Sequence, residues 1–385
     1  METSAVTAMR LYIHIPFCKR RCHYCDFYSC TAFTDAGEYF DAVRQEALLR
    51  RSEAAGLPLG SIYFGGGTPS AVDSAHIAEL LATVGREYGL ADNPEITVEA
   101  NPDDITPQWL RTMRQAGVNR LSIGVQSFND DELQRLNRRH DAKQARHSVK
   151  MATDAGFDNC SIDLMYGLPH QDLHSWEYSI EQAIALNISH ISAYMLTWHP
   201  NTEFWRQLRN NMLSTPDDEL CIRQFRLLKR ALTAAGYLHY EISNFARPHR
   251  IATHNTAYWR NEPYIGIGPS AHSYDGTTRR WNVADMPRYI RQINARHKWW
   301  ESETLTLTDK YNDLIITSLR TMWGVSKLTL KNLNPRFSTH FSRTVEQFIA
   351  DGSIVVSNDS YILSDNGMLL SDHIMEELMF VPPEH

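Results

Sequence analysis

Apolar and polar residues alternate near the start of the chain, where Leu11, Ile13 and Ile15 interleave with Tyr12 and His14. That is the two-residue period of a pleated strand. Pro16 follows directly and ends the pairing, because it has no backbone N–H to offer a neighbour. Residues 38–54 then place Phe40, Val43, Ala47 and Leu48 at helical spacing. The alternation recurs, with strands predicted at 61–64, 96–99, 120–124, 161–165 and 190–195. A second helix is predicted over 71–88, and a third is opened by Thr106 as N-cap with Pro107 at the first helical position. Strands separated by helices in this way predict an α/β fold with a parallel sheet and right-handed crossovers. Periodicity allows either an open flat sheet or a partial barrel.

From Tyr240 the pattern changes to a stretch dense in aromatics, including Tyr258, Trp259, Tyr264 and Tyr274. If residues 254–259 are helical, His254 and Tyr258 share a face; the plainer reading is a histidine capping a turn. Residues 304–385 read as a separate α+β module, with helices near 310–322 and 338–351, a hairpin over 354–364 and a last helix over 365–378. That order suggests a winged-helix-like domain. Its likely recognition helix lacks basic residues, which points to a cap or partner surface and not to a DNA reader. The expected division is 1–240, 241–303 and 304–385.

Composition narrows the class. With 385 residues, 43% hydrophobic and 22% charged, the chain is long enough for a large domain and a smaller one. A net charge of −7 gives no basic footprint, so no nucleic-acid partner is expected. Six cysteines in a chain of this length are not a disulfide scaffold. No apolar run reaches membrane-spanning length, and Met1–Arg10 is too short and polar for a signal peptide, so a cytoplasmic location is expected.

The candidate chemistry starts directly after Pro16. Cys18, Cys22 and Cys25 are spaced C-x3-C-x2-C on one short loop. Three thiolates at that spacing point to a metal, and a four-iron cluster held by three cysteines keeps one iron open. Structural zinc is the alternative, with His14 or His23 completing four ligands. Cys30 has no ligand spacing, while Cys160 and Cys221 read as packing residues. Further candidates all fall at the carboxyl ends of predicted strands: Gly65–Pro69 after the second, Glu99 ending the third, Gln126 after the fourth and Asp163 in the fifth. Each has a plain reading too. GGGTP is an ordinary turn, Arg138 a solvated charge in RLNRRH, and Asp163 a buried hydrogen-bonded acid.

The cysteine spacing, YIHIPFC around it and GGGTPS at 65–70 together resemble the radical S-adenosylmethionine (SAM) enzymes. The resembling branch contains the oxygen-independent coproporphyrinogen oxidases and the heme chaperones called HemW, and the likeness runs from Leu11 to about Gly276. It implies a partial (β/α)6 barrel with its site at the carboxyl ends of the strands. It implies a 4Fe–4S cluster on Cys18, Cys22 and Cys25, and SAM contacts at Tyr12, Tyr24, Gly66, Gly67, Thr68, Glu99, Gln126, Arg138 and Asp163. HNTAYW at 254–259 is similar to the HNxxYW motif of the chaperone branch, which implies heme at His254 with Tyr258 and Trp259 as walls. Two departures separate the chain from the oxidases: Phe27 stands where they carry a further cysteine, and only seventeen residues precede Cys18. The expectation is therefore a heme chaperone that transfers heme to acceptor apoproteins. The expected partners include an electron donor, a second copy of the chain and the membrane surface. The alternative is decarboxylation of two propionates of coproporphyrinogen by a deoxyadenosyl radical.

Overall fold

The computed structural model describes residues 7–382; the first six residues of the stretch read against a signal peptide lie outside them. Strands β1 (Met9–Ile15), β2 (Leu59–Gly66), β3 (Leu90–Ala100), β4 (Arg120–Gln126), β5 (Asn159–Tyr166) and β6 (His190–Met195) lie side by side in chain order, all parallel. Crossover helices cover one face. Leu11, Ile13 and Ile15 of β1, Ile62 and Phe64 of β2, and Ile123 of β4 are wholly buried against them, each contributing about 1.5–3 kcal/mol of apolar burial. The helix over Pro107–Gln115 starts as read, with Thr106 Oγ1 accepting from Trp109 N at 3.1 Å.

Two boundaries differ most from expectation. The first helix runs Ala36–Arg50 and tightens to a 3-10 turn over Arg51–Ala54. Strand β3 begins six residues before the predicted 96, because Leu90 already pairs with Leu59 while exposed Asp92 and Asn93 hide the apolar pattern.

The sheet continues past both ends of the barrel. Beyond β6 comes a hairpin of β7 (Leu238–Glu241) and β8 (Asn244–Ala246), with β8 antiparallel to β6. Beyond β1, strand β9 (Tyr264–Ile267) pairs parallel to it. Then β10 (His272–Tyr274), β11 (Thr278–Asn282) and β12 (Trp300–Thr304) follow antiparallel. The region expected as a connecting segment thus adds strands to the sheet and also carries two helices, Thr253–Trp259 and Met286–Asn294. Its strands are three to five residues long, too short for their alternation to stand out.

The C-terminal domain has its own core around Tyr311, Phe341 and Ile374. Its hairpin joins β14 (Ile354–Ser357) to β15 (Ser360–Leu363), and a short strand β13 (Val325–Ser326) flanks β15. Asn358 and Asp359 both adopt positive φ at the tip, as a two-residue hairpin turn requires. The expected last helix is broken into Asp365–Leu369 and Ser371–Leu378. Gly367 lies so close to the Ser353 carbonyl that a Cβ would sit 2.0 Å from it, which anchors the first piece against the sheet. The domain docks on β7 through Met322 N to Tyr240 O and Ile242 N to Arg320 O, both 2.9 Å.

Candidate functional site

Backbone bonds fix the cysteine loop before any ligand is considered. Cys18 N donates to Cys30 O at 2.9 Å, and Cys30 N to Pro16 O at 2.7 Å. Gly67 N and Thr68 N donate to Ile15 O and Phe17 O, so the turn after β2 is clasped to the end of β1. Cys18, Cys22 and Cys25 thereby face one cavity of about 640 Å³, which Tyr12, Tyr24 and Thr68 also line. Glu99, Gln126, Arg138 and Asp163 complete that wall, with Gly66 and Gly67 at the turn. Every SAM and cluster position implied by the sequence therefore lines the same space.

A single zinc ion would need a fourth ligand beside the three thiols. Among the described residues, no group of three or more His, Cys, Asp or Glu side chains is arranged to hold one metal ion. Both histidines suggested as a fourth ligand are engaged away from the thiols. His23 Nδ1 meets Arg135 O at 2.9 Å, and His14 joins Tyr12 Oη at 3.1 Å and Tyr28 O at 2.9 Å. Burial pushes the Cys25 thiol up to about 11 and also raises Cys18. Such thiols stay protonated until a cation binds them. Thr68 Oγ1 lies 3.4 Å from Cys18 Sγ, and Arg138 Nη1 donates to Cys22 Sγ at 3.2 Å.

The glycines are dictated by close approach. Gly66 has φ +108°, and a Cβ there would stand 2.5 Å from the His14 ring; one on Gly67 would stand 2.7 Å from the Pro16 carbonyl carbon. Glu99 accepts from Tyr63 Oη at 2.8 Å and from Gly66 N at 3.2 Å, yet burial still lifts its carboxyl to about 7. Asp163 is raised by burial as well, opposed by hydrogen bonds from Ser192 and Ser122 and by Arg120. Gln126 sits at φ +69° beside an irregularity in the β4–β5 register, a strained conformation for a residue with a side chain. Arg138 is not a free clamp. Besides Cys22, its Nη2 donates to Asn101 Oδ1 and Gly124 O, both at 2.6 Å.

The cavity has a floor that the motifs do not reveal. Alternate residues of the parallel strands face inward and are polar: Tyr63 of β2, Arg120 and Ser122 of β4, Asp163 of β5, His190 and Ser192 of β6. Closed α/β barrels fill this space with branched apolar side chains. Here polar positions recur every second residue in segments such as RLSIG and HISAYM. That alternation is visible in the sequence and marks a lumen built for a polar ligand.

The HNTAYW segment is helical, Thr253–Trp259, and Thr253 N and His254 N both donate to the Glu95 carboxylate at 2.9 Å. His254 is buried with both ring nitrogens engaged, Nδ1 with Ser61 Oγ at 2.8 Å and Nε2 with Tyr258 Oη at 2.9 Å. Burial lowers its pKa to about 3, so the ring is neutral. Trp259 lines neither this cavity nor the one beside it. That second cavity, of about 550 Å³, lies under β1, β9, β10 and β11 and shares Tyr12, Phe27 and Tyr258 with the first. Sequence reading missed it because its walls come from segments far apart in the chain.

The family model of the radical SAM superfamily matches residues 12–183. The heme chaperone HemW of Bacillus subtilis is 35% identical over 367 residues, covering 94% of this chain and 97% of that protein. The heme chaperone HemW of Escherichia coli is 34% identical, covering 96% and 97%. Among solved structures, the coproporphyrinogen III oxidase HemN from Escherichia coli, a radical SAM enzyme, superposes with a TM-score of 0.84 at 25% identity. That match covers 97% of this chain and 90% of HemN.

Proposed function

Because the chain belongs to the radical SAM superfamily and to its HemW-like family, we propose that it carries a 4Fe–4S cluster and SAM in the barrel and hands heme to acceptor apoproteins. The observation that carries this reading is the shared cavity. Three thiols, a glycine turn and two carboxyls face one polar lumen, while Phe27, 64% exposed, stands where the oxidases carry a further cysteine.

Cys18, Cys22 and Cys25 would ligate the cluster, which when bound supplies an iron with an open position for SAM. The residues of the chain do the rest. Arg138 stabilises the Cys22 thiolate by donating to its sulfur. Glu99 and Asp163 accept from ribose hydroxyls or an ammonium. Gly66 and Gly67 let the ligand meet bare backbone. No helix among the described residues is long and apolar enough to cross a membrane, and an association with its surface would be peripheral.

The test is anaerobic reconstitution followed by heme titration and coproporphyrinogen turnover in parallel. The expected outcome is a heme complex that passes its heme to an apoprotein and no protoporphyrinogen. Protoporphyrinogen formation would replace this reading with the oxidase, and failure of the reconstituted protein to take up heme would remove it.

A further inference from the structure

The second cavity is distinct from the cluster site in shape and chemistry. It is walled by Tyr12, Tyr28, Tyr258, Tyr264 and Tyr274, with Phe27 at the edge it shares with the first cavity. Its size falls in the range of about 300–1,000 Å³ usual for ligand pockets. Arg279, paired with Asp313 and 41% exposed, sits on its rim and offers a cation to an acidic substituent.

The imidazoles around the two cavities are not equivalent. His14, His190 and His254 each have both ring nitrogens engaged: His14 with Tyr12 and Tyr28, His190 with Ser161 and Tyr240, His254 with Ser61 and Tyr258. His199 faces Asp26 at 3.4 Å. Among the described residues, neither ring nitrogen of His272 has a hydrogen-bond partner. The residue is exposed and lines the second cavity, its ring stacked on Trp281 at 6.2 Å. Partial desolvation of the ring in the cavity and the neighbouring Arg279 lower its pKa, which keeps the ring in the neutral, ligating form at neutral pH.

We infer that the second cavity is the tetrapyrrole site, with His272 as the axial iron ligand and the tyrosine walls against the macrocycle. A flat iron macrocycle needs a neutral nitrogen free to bind metal, aromatic faces and a cation for its carboxylates. The second cavity assembles all three. His254 then has a different task. It is a wall element that holds Tyr258 in place between the two cavities through the 2.9 Å bond to its hydroxyl.

The inference rests on the heme-binding reading, so the experiment separates the two. Hemin is titrated into the full-length wild type, His272→Ala, His272→Cys and His254→Ala, with folding followed by circular dichroism and cluster content by iron analysis. The expected result for His272→Ala is affinity weaker by at least ~10-fold, the lower end of losses seen even for outer partners of metal ligands. His272→Cys is expected to recover binding with a Soret band shifted to the thiolate type, which a merely structural residue would not produce. His254→Ala should lower the melting temperature while keeping the wild-type Soret position. A wild-type Soret band and affinity in folded His272→Ala, with loss in His254→Ala, overturns this assignment but leaves the heme reading standing. Absence of hemin binding by the wild type overturns both.

Discussion

The two cavities share a wall and differ in how the chain encodes them. The first is assembled mainly from strands of a parallel sheet and the loops that follow them, so the topology brings most of its residues to one end of the barrel. The second is assembled from β1 and from segments some 250 residues later, folded back as β9, β10 and β11. One site follows from local motifs plus a repeated supersecondary unit. The other depends on an antiparallel extension with no motif of its own. A chemistry written in short motifs can thus be read early, whereas a binding surface made from non-local packing needs the fold.

The largest expected effect would separate the cavities. Cys22→Ala should abolish the 4Fe–4S absorbance after anaerobic reconstitution, since a three-thiol set has no ligand to spare. Cys30→Ala should retain it, because Cys30 serves the loop through its backbone bonds to Pro16 and Cys18. Heme affinity of Cys22→Ala should stay near wild type. A parallel loss of heme would mean that the two sites are one.

The next effect joins them. Gly66 belongs to the first cavity, but a side chain there would strike the His14 ring, which lines the second. With φ at +108° as well, Gly66→Val should cost about 2–5 kcal/mol in chemical denaturation and weaken both ligands. Gly276→Ala is the control. It has φ +95° but nothing within 4 Å, so only the strain of about 1–2 kcal/mol remains.

The smallest effect is confined to the first cavity and depends on pH. The Glu99 carboxyl is raised from 4.5 to about 7 in the folded protein. Between those values the folded state binds a proton that the unfolded state does not. The stability contributed is complete below 4.5 and lost as pH rises through 7. Glu99→Gln is neutral throughout, so its stability relative to wild type should be greatest above pH 7 and should shrink as pH falls toward 4.5. A pH-independent difference in denaturation midpoints would mean that the carboxylate is better solvated than its burial implies.

Much of this was legible in the sequence, for identifiable reasons. Strands β1 to β6 declare themselves because their outer residues are buried apolar side chains bounded by turns. Cys18, Cys22, Cys25 and Gly65–Pro69 declare themselves by spacing. Arg120, Ser122, His190 and Ser192 were legible in principle, as polar residues at alternate positions in strands that ought to be apolar on both faces. The hydrogen bond of His254 to Tyr258 follows from their shared helical face, but its bond to Ser61 was not legible. Ser61 lies 193 residues away on β2, and only the tertiary packing of the helix Thr253–Trp259 brings the two into range. The broken last helix was equally hidden, since the cause lies in the approach of Ser353 to Gly367.

The open sheet has a consequence for how the molecule behaves in a crowded solution. Among the described residues, twelve strands that never close leave two borders, and each is a template on which another chain could add a strand and begin a fibre. At one border β7 is only four residues long and is overlaid by the C-terminal domain through Tyr240, Ile242 and Glu241. At the other, β12 presents exposed Glu301 and Glu303, whose like charges repel a second copy arriving in register. The C-terminal domain thereby guards against polymerisation whatever else it contacts, and the sequence WESET does the same for the opposite flank with two carboxylates.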